Sequence, residues 1–264
     1  MKFIQFIFGC YIFLHAAFLP AQESKLCSSN NCYSIIETLG EGAFGKVFSV
    51  ENLQREKFAL KTYTKKNDAY CPLECDPERE FLIGKTLDHP NIVKTLDFFS
   101  TTSSDDSLSH YLILQLIEGK ILGSIKKGDL LYQQAKHMIM QLLSALSYSL
   151  SQGKLYTDLH EANILITQNF DPMIVDLASF YTTKEIMDTH FQGLSEQDIF
   201  GYYLETYARF FNRIIKKSNL ERTKKLTLCA EFKKIVWNFQ EDVEEGKDVS
   251  IYDCFDEFFL LLQE

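Results

Sequence analysis

Proline and glycine are scarce in this chain of 264 residues, 5 and 12 respectively, against 22 Phe and 13 Tyr. Disordered and low-complexity chains show the opposite balance, so a folded, aromatic-rich core is expected. Positive charge is short as well: 27 Lys and Arg against 36 Asp and Glu leave a formal net charge of −9. The basic sheath that phosphate backbones require is therefore missing, which argues against nucleic acid as the main partner. There is no internal repeat and no Asn-x-Ser/Thr sequon, the latter a mild point against a eukaryotic secretory-pathway ectodomain. What is present, 46% hydrophobic and 24% charged residues, is the balance of a globular domain long enough to bury its core without staples.

The first residues differ in kind from the rest. Lys2 precedes the apolar stretch from Phe3 to Leu14, followed by His15-Ala16-Ala17-Phe18-Leu19-Pro20-Ala21. A basic start, an apolar run and small residues before a polar segment predict a secretory signal peptide over residues 1–21, cleaved after Ala21, and hence export. The alternative is a membrane anchor through residues 3–19, although the run is short for a span and Gln5 and His15 interrupt it. The remaining cysteines are Cys27, Cys32, Cys71, Cys75, Cys229 and Cys254. In an exported chain they permit disulfides, with Cys27/Cys32 and Cys71/Cys75 the obvious local pairs. Their spacings match no common zinc motif.

From Tyr33 to about Ile117 the chain is β-rich. Strand-like runs occupy 33–39, 46–50 and 58–63, and two more are expected at 92–99 and 110–117. One helix interrupts them, with Asp76 as its cap, Pro77 at its first position and Pro90 beyond its end. After Gly119 the texture is helical: Ala135, Met138, Leu142, Leu146 and Leu150 share one face of a helix that Gly153 can terminate. Two short strands, 164–166 and 173–175, follow, and helices are expected from Glu196 onward.

Gly40-Glu41-Gly42-Ala43-Phe44-Gly45-Lys46-Val47 is a G-x-G-x-x-G-x-V run. A dinucleotide fingerprint needs a helix directly after it, whereas Val47-Phe48-Ser49-Val50 reads as a strand. The loop therefore caps a hairpin whose backbone N–H groups can approach phosphates closely. Lys61 ends a strand sixteen residues after Gly45, and Glu80 lies on the capped helix, ten residues before Pro90. Further on, Tyr156-Thr157-Asp158-Leu159-His160-Glu161-Ala162-Asn163 precedes a strand, and Ile174-Val175-Asp176-Leu177-Ala178 follows it.

In this order and spacing the parts resemble the protein kinase superfamily. The resemblance covers roughly residues 33–260. It implies an α+β bilobal fold, with a small β-rich N-lobe over 33–119 carrying one helix and a mostly helical C-lobe over 120–264. It also implies an enzyme that uses ATP and Mg²⁺ and has a protein substrate. Lys61 would neutralise the α/β-phosphates and Glu80 would hold Lys61 in place. Asp158 would orient the acceptor hydroxyl and take its proton, with Asn163 and Asp176 as metal ligands. Leu114 would be the gatekeeper, the backbone of Gln115 and Ile117 would bond the adenine edge, and Val47, Ala59 and Leu165 would sandwich the ring. Asp198 would hydrogen-bond the backbone of the catalytic loop.

Several positions depart from the family pattern. Thr157 replaces the Arg that receives an activation-loop phosphate in many members, and Leu177-Ala178 replaces Phe-Gly. The segment between Asp176 and Asp198 is short and has no A-P-E. His160 stands where Ser/Thr kinases have Lys, and Asp-Leu-His-x-x-Asn is similar to kinases of aminoglycosides, choline and lipopolysaccharide. The main expectation is a protein kinase acting on Ser/Thr; a small-molecule kinase and a nucleotide-binding pseudokinase are the alternatives. Export of an ATP-using enzyme would fit a bacterial factor acting inside a host cell. The acidic run Glu241-Asp242-Val243-Glu244-Glu245 reads as a solvated helix end, or as a patch for basic peptides.

Overall fold

The computed structural model describes residues 25–41, 45–63, 76–102, 108–189 and 191–263. The expected signal segment, Cys71 and Cys75, and the loop tip Gly42, Ala43 and Phe44 lie outside the described residues.

The N-terminal half is a six-stranded sheet. Its strands are β1 (Leu26–Cys27), β2 (Cys32–Glu41), β3 (Gly45–Asn52), β4 (Lys57–Tyr63), β5 (Thr95–Thr102) and β6 (Leu108–Gln115), in the order β1-β2-β3-β4-β6-β5. All its neighbours are antiparallel. Strand β1 was not foreseen; it pairs with the start of β2, and a disulfide joins Cys27 to Cys32. Val50 of β3, Leu60 of β4 and Ile113 of β6 bury on one face with Tyr33 and Phe99. Strand β5 begins three residues later than the run at 92–99 suggests, because Ile92 and Val93 are drawn away to the second half.

Helix α1 (Pro77–Thr86) crosses this sheet. Its first turn is capped by the Asp76 carboxylate, which accepts from the Glu78 and Arg79 N–H groups. Gly84 lets it sit close. A Cβ there would lie 1.8 Å from Thr95 Oγ1 and 2.7 Å from Leu177 Cδ1, so any side chain would push the helix off.

The second half is helical, as expected. Helices α2 (Tyr132–Ser151), α4 (Glu196–Lys217), α5 (Arg222–Glu244) and α6 (Ile251–Gln263) pack around a core rich in Phe, including Phe210, Phe211, Phe232 and Phe258. The short helix α3 (Thr183–Thr189) lies between α2 and α4 in the chain. Two small sheets complete it: β7 (Gly119–Ile121) with β9 (Ile164–Thr167) and β10 (Pro172–Ile174), and β8 (Leu155–Tyr156) with β11 (Phe180–Tyr181). The Gly153 expected to end α2 has φ +69, the left-handed turn that glycine adopts without strain. Among the described residues no helix is long and apolar enough to cross a membrane. The acidic run closes α5 and is engaged within the chain, where Lys247 pairs with Asp242 and Glu245.

The halves are stapled by His89-Pro90-Asn91-Ile92-Val93. The Val93 N–H donates to the Ile174 carbonyl, the Ile174 N–H donates to the Asn91 carbonyl, and Asn91 Nδ2 donates to Gln141 and to the Pro172 carbonyl. These bonds set β10, and Asp176 follows it by two residues.

Candidate active site

Lys61 and Glu80 come from different elements and meet in the interior. Lys61 Nζ lies 2.9 and 2.7 Å from the two oxygens of Glu80 and 3.6 Å from Asp176 Oδ1. The Glu80 side chain is 0% exposed and that of Lys61 13%. Burial works to lower the Lys61 pKa, but Glu80 and Asp176 outweigh it, so the ammonium stands above its ordinary value and stays charged. Tyr63 Oη donates to Glu80 at 2.8 Å, and burial, with Glu80 second, raises that hydroxyl far above its ordinary range. Tyr63 is two residues from Lys61 on one strand and shares its face, as the period of two along a strand dictates.

The Asp158 loop is held from several sides. Asp158 is 56% exposed and faces a cavity of about 390 Å³ lined also by Thr157, Tyr181, Phe191 and Tyr203. Asn163 Nδ2 donates to the Asp158 carbonyl and to Oδ2, at 3.1 and 3.2 Å. His160 Nδ1 accepts from the Ala162 N–H at 3.1 Å, so Nε2 carries the proton toward Asp158 Oδ2, also at 3.1 Å. That bond, more than any other influence, holds the Asp158 carboxyl below its ordinary pKa, and Asp158 in turn raises His160. Asp158 is therefore an ionised acceptor at neutral pH.

Asp176 Oδ2 accepts from Ser179 Oγ at 2.6 Å, and its other oxygen faces Lys61. With the Asn163 amide nitrogen committed to Asp158, its oxygen is left, and an amide oxygen beside a carboxylate is a donor set suited to a hard cation such as Mg²⁺. Of the residues expected to contact a nucleotide, those that are described lie on the strands and the connection near this centre. Gly40 and Glu41 end β2 and pair with Val47 and Lys46 across the hairpin, and a Cβ on Gly45 would lie 1.7 Å from the Thr62 carbonyl. Ala59 lies opposite the buried Leu114, while Val47 and Leu165 are half-buried on β3 and β9. Gln115 and Ile117 sit where the sheet passes into the helical half, but the Gln115 N–H is taken by the Lys94 carbonyl.

One expectation is corrected. Asp198 does not reach the Asp158 loop: it is exposed and its carboxylate accepts from the Ser195 N–H and Oγ, capping α4. The Ser-x-x-Asp spacing makes that local bond the nearer option. The loop is anchored from α4 by the fully buried Tyr207 instead, whose hydroxyl donates to the Tyr156 carbonyl at 2.6 Å.

The departures from the family pattern are absorbed locally. Thr157 donates through both N–H and Oγ1 to the Ser179 carbonyl, at 2.9 and 3.0 Å, and β8 pairs with β11 beside it. Leu177 is fully buried in the main core. Arg79, next to Glu80 on α1, reaches across to the segment after Asp176: Nη1 donates to the Ala178 carbonyl at 2.9 Å and Nη2 to that of Phe180 at 2.7 Å. Its Nε lies 3.3 Å from Glu185, and the guanidinium covers the Tyr181 ring. Glu185 is itself fixed by the Thr182 N–H and Oγ1. Sequence reasoning missed Arg79 and Glu185, because two residues 106 apart carry no local signal of their pairing.

Comparison with known proteins places the same region in one family. The model described as protein kinase domain matches residues 33–194. The chain is 32% identical over 162 residues to a probable serine/threonine-protein kinase KIN1 homolog of Enterocytozoon bieneusi, covering 60% of this chain and 26% of that protein. It is 32% identical over 195 residues to the serine/threonine-protein kinase cds1 of Schizosaccharomyces pombe, covering 71% and 38%. A probable myosin light chain kinase of Dictyostelium discoideum is 33% identical over 162 residues, covering 60% and 49%. The chain thus spans between about a quarter and a half of the length of these relatives.

Proposed function

As this chain belongs to the protein kinase family, we propose that it transfers the γ-phosphate of ATP to a protein hydroxyl, on Ser or Thr, with Mg²⁺. The observation that carries this is the Lys61 ammonium bound between Glu80 and Asp176 while the Asp158 carboxylate stays open to a cavity. Phosphoryl transfer asks a protein for positioning and charge stabilisation more than for covalent chemistry. Lys61 is the fixed positive charge for the α/β-phosphates. Asp158 receives and orients the acceptor hydroxyl and takes its proton. Asn163 and Asp176 would hold Mg²⁺, which when bound neutralises charge on the phosphate oxygens. Gly40 to Gly45 would cover the phosphates, and Val47, Ala59 and Leu165 would enclose the base beside Gln115 and Ile117.

The test is transfer of labelled γ-phosphate from ATP to a generic basic protein, run beside Asp176→Ala. Label on protein that the variant loses is the expected result. Nucleotide binding without turnover would instead favour a pseudokinase, and label on sugars or lipids alone a small-molecule kinase.

Arg79 would make activity independent of phosphorylation of the segment after Asp176, since Glu185 already provides the anion that holds α1 inward. Arg79→Ala is expected to lower kcat about tenfold or more, as a hydrogen bond to a charged group is worth roughly 1.5–3 kcal/mol. Arg79→Lys should not restore the rate, because an ammonium cannot bond two carbonyls and a carboxylate in one plane. Initial rates before and after phosphatase treatment check this; a wild-type rate that falls on dephosphorylation would refute it.

Export through residues 1–21 is proposed as well, and the Cys27–Cys32 disulfide supports it, since such bonds persist in oxidising compartments. N-terminal sequencing of the secreted protein should begin at Gln22; an intact Met1 would reject it.

A further inference from the structure

A groove of about 720 Å³ runs between α4 and α5, and it shares no lining residue with the cavity at Asp158. Its charge is opposite to that of the whole chain. Lys127, Lys216, Arg222, Lys225 and Lys233 line it, with no carboxylate among the lining residues. Lys225 is spent on the Ser218 carbonyl. Among the described residues, the side chains of Lys127, Lys216, Arg222 and Lys233 make neither an ion pair nor a hydrogen bond, and all four residues are exposed. What sets these cations apart is that they gather around one groove with no carboxylate lining it, which gives it a local positive field in a chain of net charge −9.

The groove is not merely charged. Leu220, Leu226 and Ala230 line it between the cations. Leu226, Ala230, Lys233 and Trp237 follow at spacings of four, three and four on α5, so they share one face, and Leu226 and Trp237 are 61% and 66% exposed. Asn212, 6% exposed, also lines the groove, and its Oδ1 has no hydrogen-bond partner. An apolar stripe, a cationic rim and an orphaned acceptor together match a peptide: leucine-like side chains for the stripe, carboxylates for the rim and an N–H for Asn212. A phosphate backbone would satisfy the rim only, leaving Leu226, Trp237 and Asn212 unused.

We propose that this groove is a docking site for an acidic, amphipathic peptide segment of a partner protein. Binding there is separate from the phosphotransfer centre and stands whether or not the chain transfers phosphate.

The test uses a fluorescein-labelled synthetic peptide with glutamates and leucines alternating at helical spacing, titrated with the full chain. The expected result is saturable binding that weakens with salt and falls at least tenfold in the charge reversal Lys127→Glu/Lys216→Glu/Lys233→Glu. The charge-neutral Lys→Gln triple variant should bind with intermediate affinity, and the uncharged substitution Leu226→Gln should weaken binding without altering its salt dependence. Thermal melts matching wild type guard against misfolding, and phosphorylation of a generic basic protein should be unchanged. Absent binding, or binding equal in all variants, would overturn the assignment. So would tighter binding of single-stranded RNA or of phosphatidylserine vesicles than of the peptide.

Discussion

Asp158→Asn is expected to slow phosphate transfer by about 10²- to 10⁴-fold, the contribution of a positioned general base, while nucleotide binding stays intact. Binding should survive because Asp158 contacts none of Lys61, Glu80 or Asp176; its partners are His160 and Asn163. The amide keeps the size of the carboxylate and can still accept from Asn163, so the loop should not rearrange. It cannot take a proton. Single-turnover transfer and nucleotide titration, measured on the same preparation, separate the two effects; transfer at the wild-type rate would remove Asp158 from the mechanism. The pH profile adds a second reading. His160 is the largest influence holding Asp158 below its ordinary pKa, and a carboxyl so held stays ionised to lower pH. His160→Ala should therefore move the acid limb of kcat upward, and an unmoved limb would mean that another group sets it.

Glu80→Gln is expected to damage both activity and stability. The glutamine can still accept from Tyr63, but the Lys61 ammonium loses its buried counter-charge and keeps only Asp176, at 3.6 Å. Removing one member of a buried pair costs roughly 3–5 kcal/mol, and the remaining carboxylate places the expected loss near the lower figure. For a chain of this size about 3 kcal/mol lowers Tm by roughly 6–12 °C. Lys61 should swing toward Asp176 and leave the position it needs for the phosphates, so kcat/KM should fall well beyond what the lost stability explains at room temperature. Calorimetry and initial rates check the two parts. An unchanged Tm would show that the pair is not what holds α1 against the sheet.

Much of the site was legible because its residues sit in short local patterns. The hairpin loop from Gly40 to Gly45 announces itself by glycine spacing, and the structure supplies the reason at Gly45, where a Cβ would collide with the Thr62 carbonyl. Lys61 on a strand, Glu80 on a helix capped by Asp76, and the run from Asp158 to Asn163 before β9 are likewise readable from spacing and capping. The bilobal order follows from the change of apolar period from two to 3.6 near Gly119. Strand β1 was not readable, because two residues carry no period.

Chain-local chemistry thus determined which residues carry charge, which elements hold them, and the order in which they arrive. The long-range partners were decided only on folding: Arg79 with Glu185, Tyr63 with Glu80, and Tyr207 with the Tyr156 carbonyl in place of the expected Asp198. The same holds for the unpaired cations that α4, α5 and the loop at Lys127 bring to one groove. The physical reason is common to all of them. A buried donor or an unpaired charge takes whichever partner the packing brings within about 3 Å, and that proximity is a property of the packed helices and sheets rather than of neighbours along the chain.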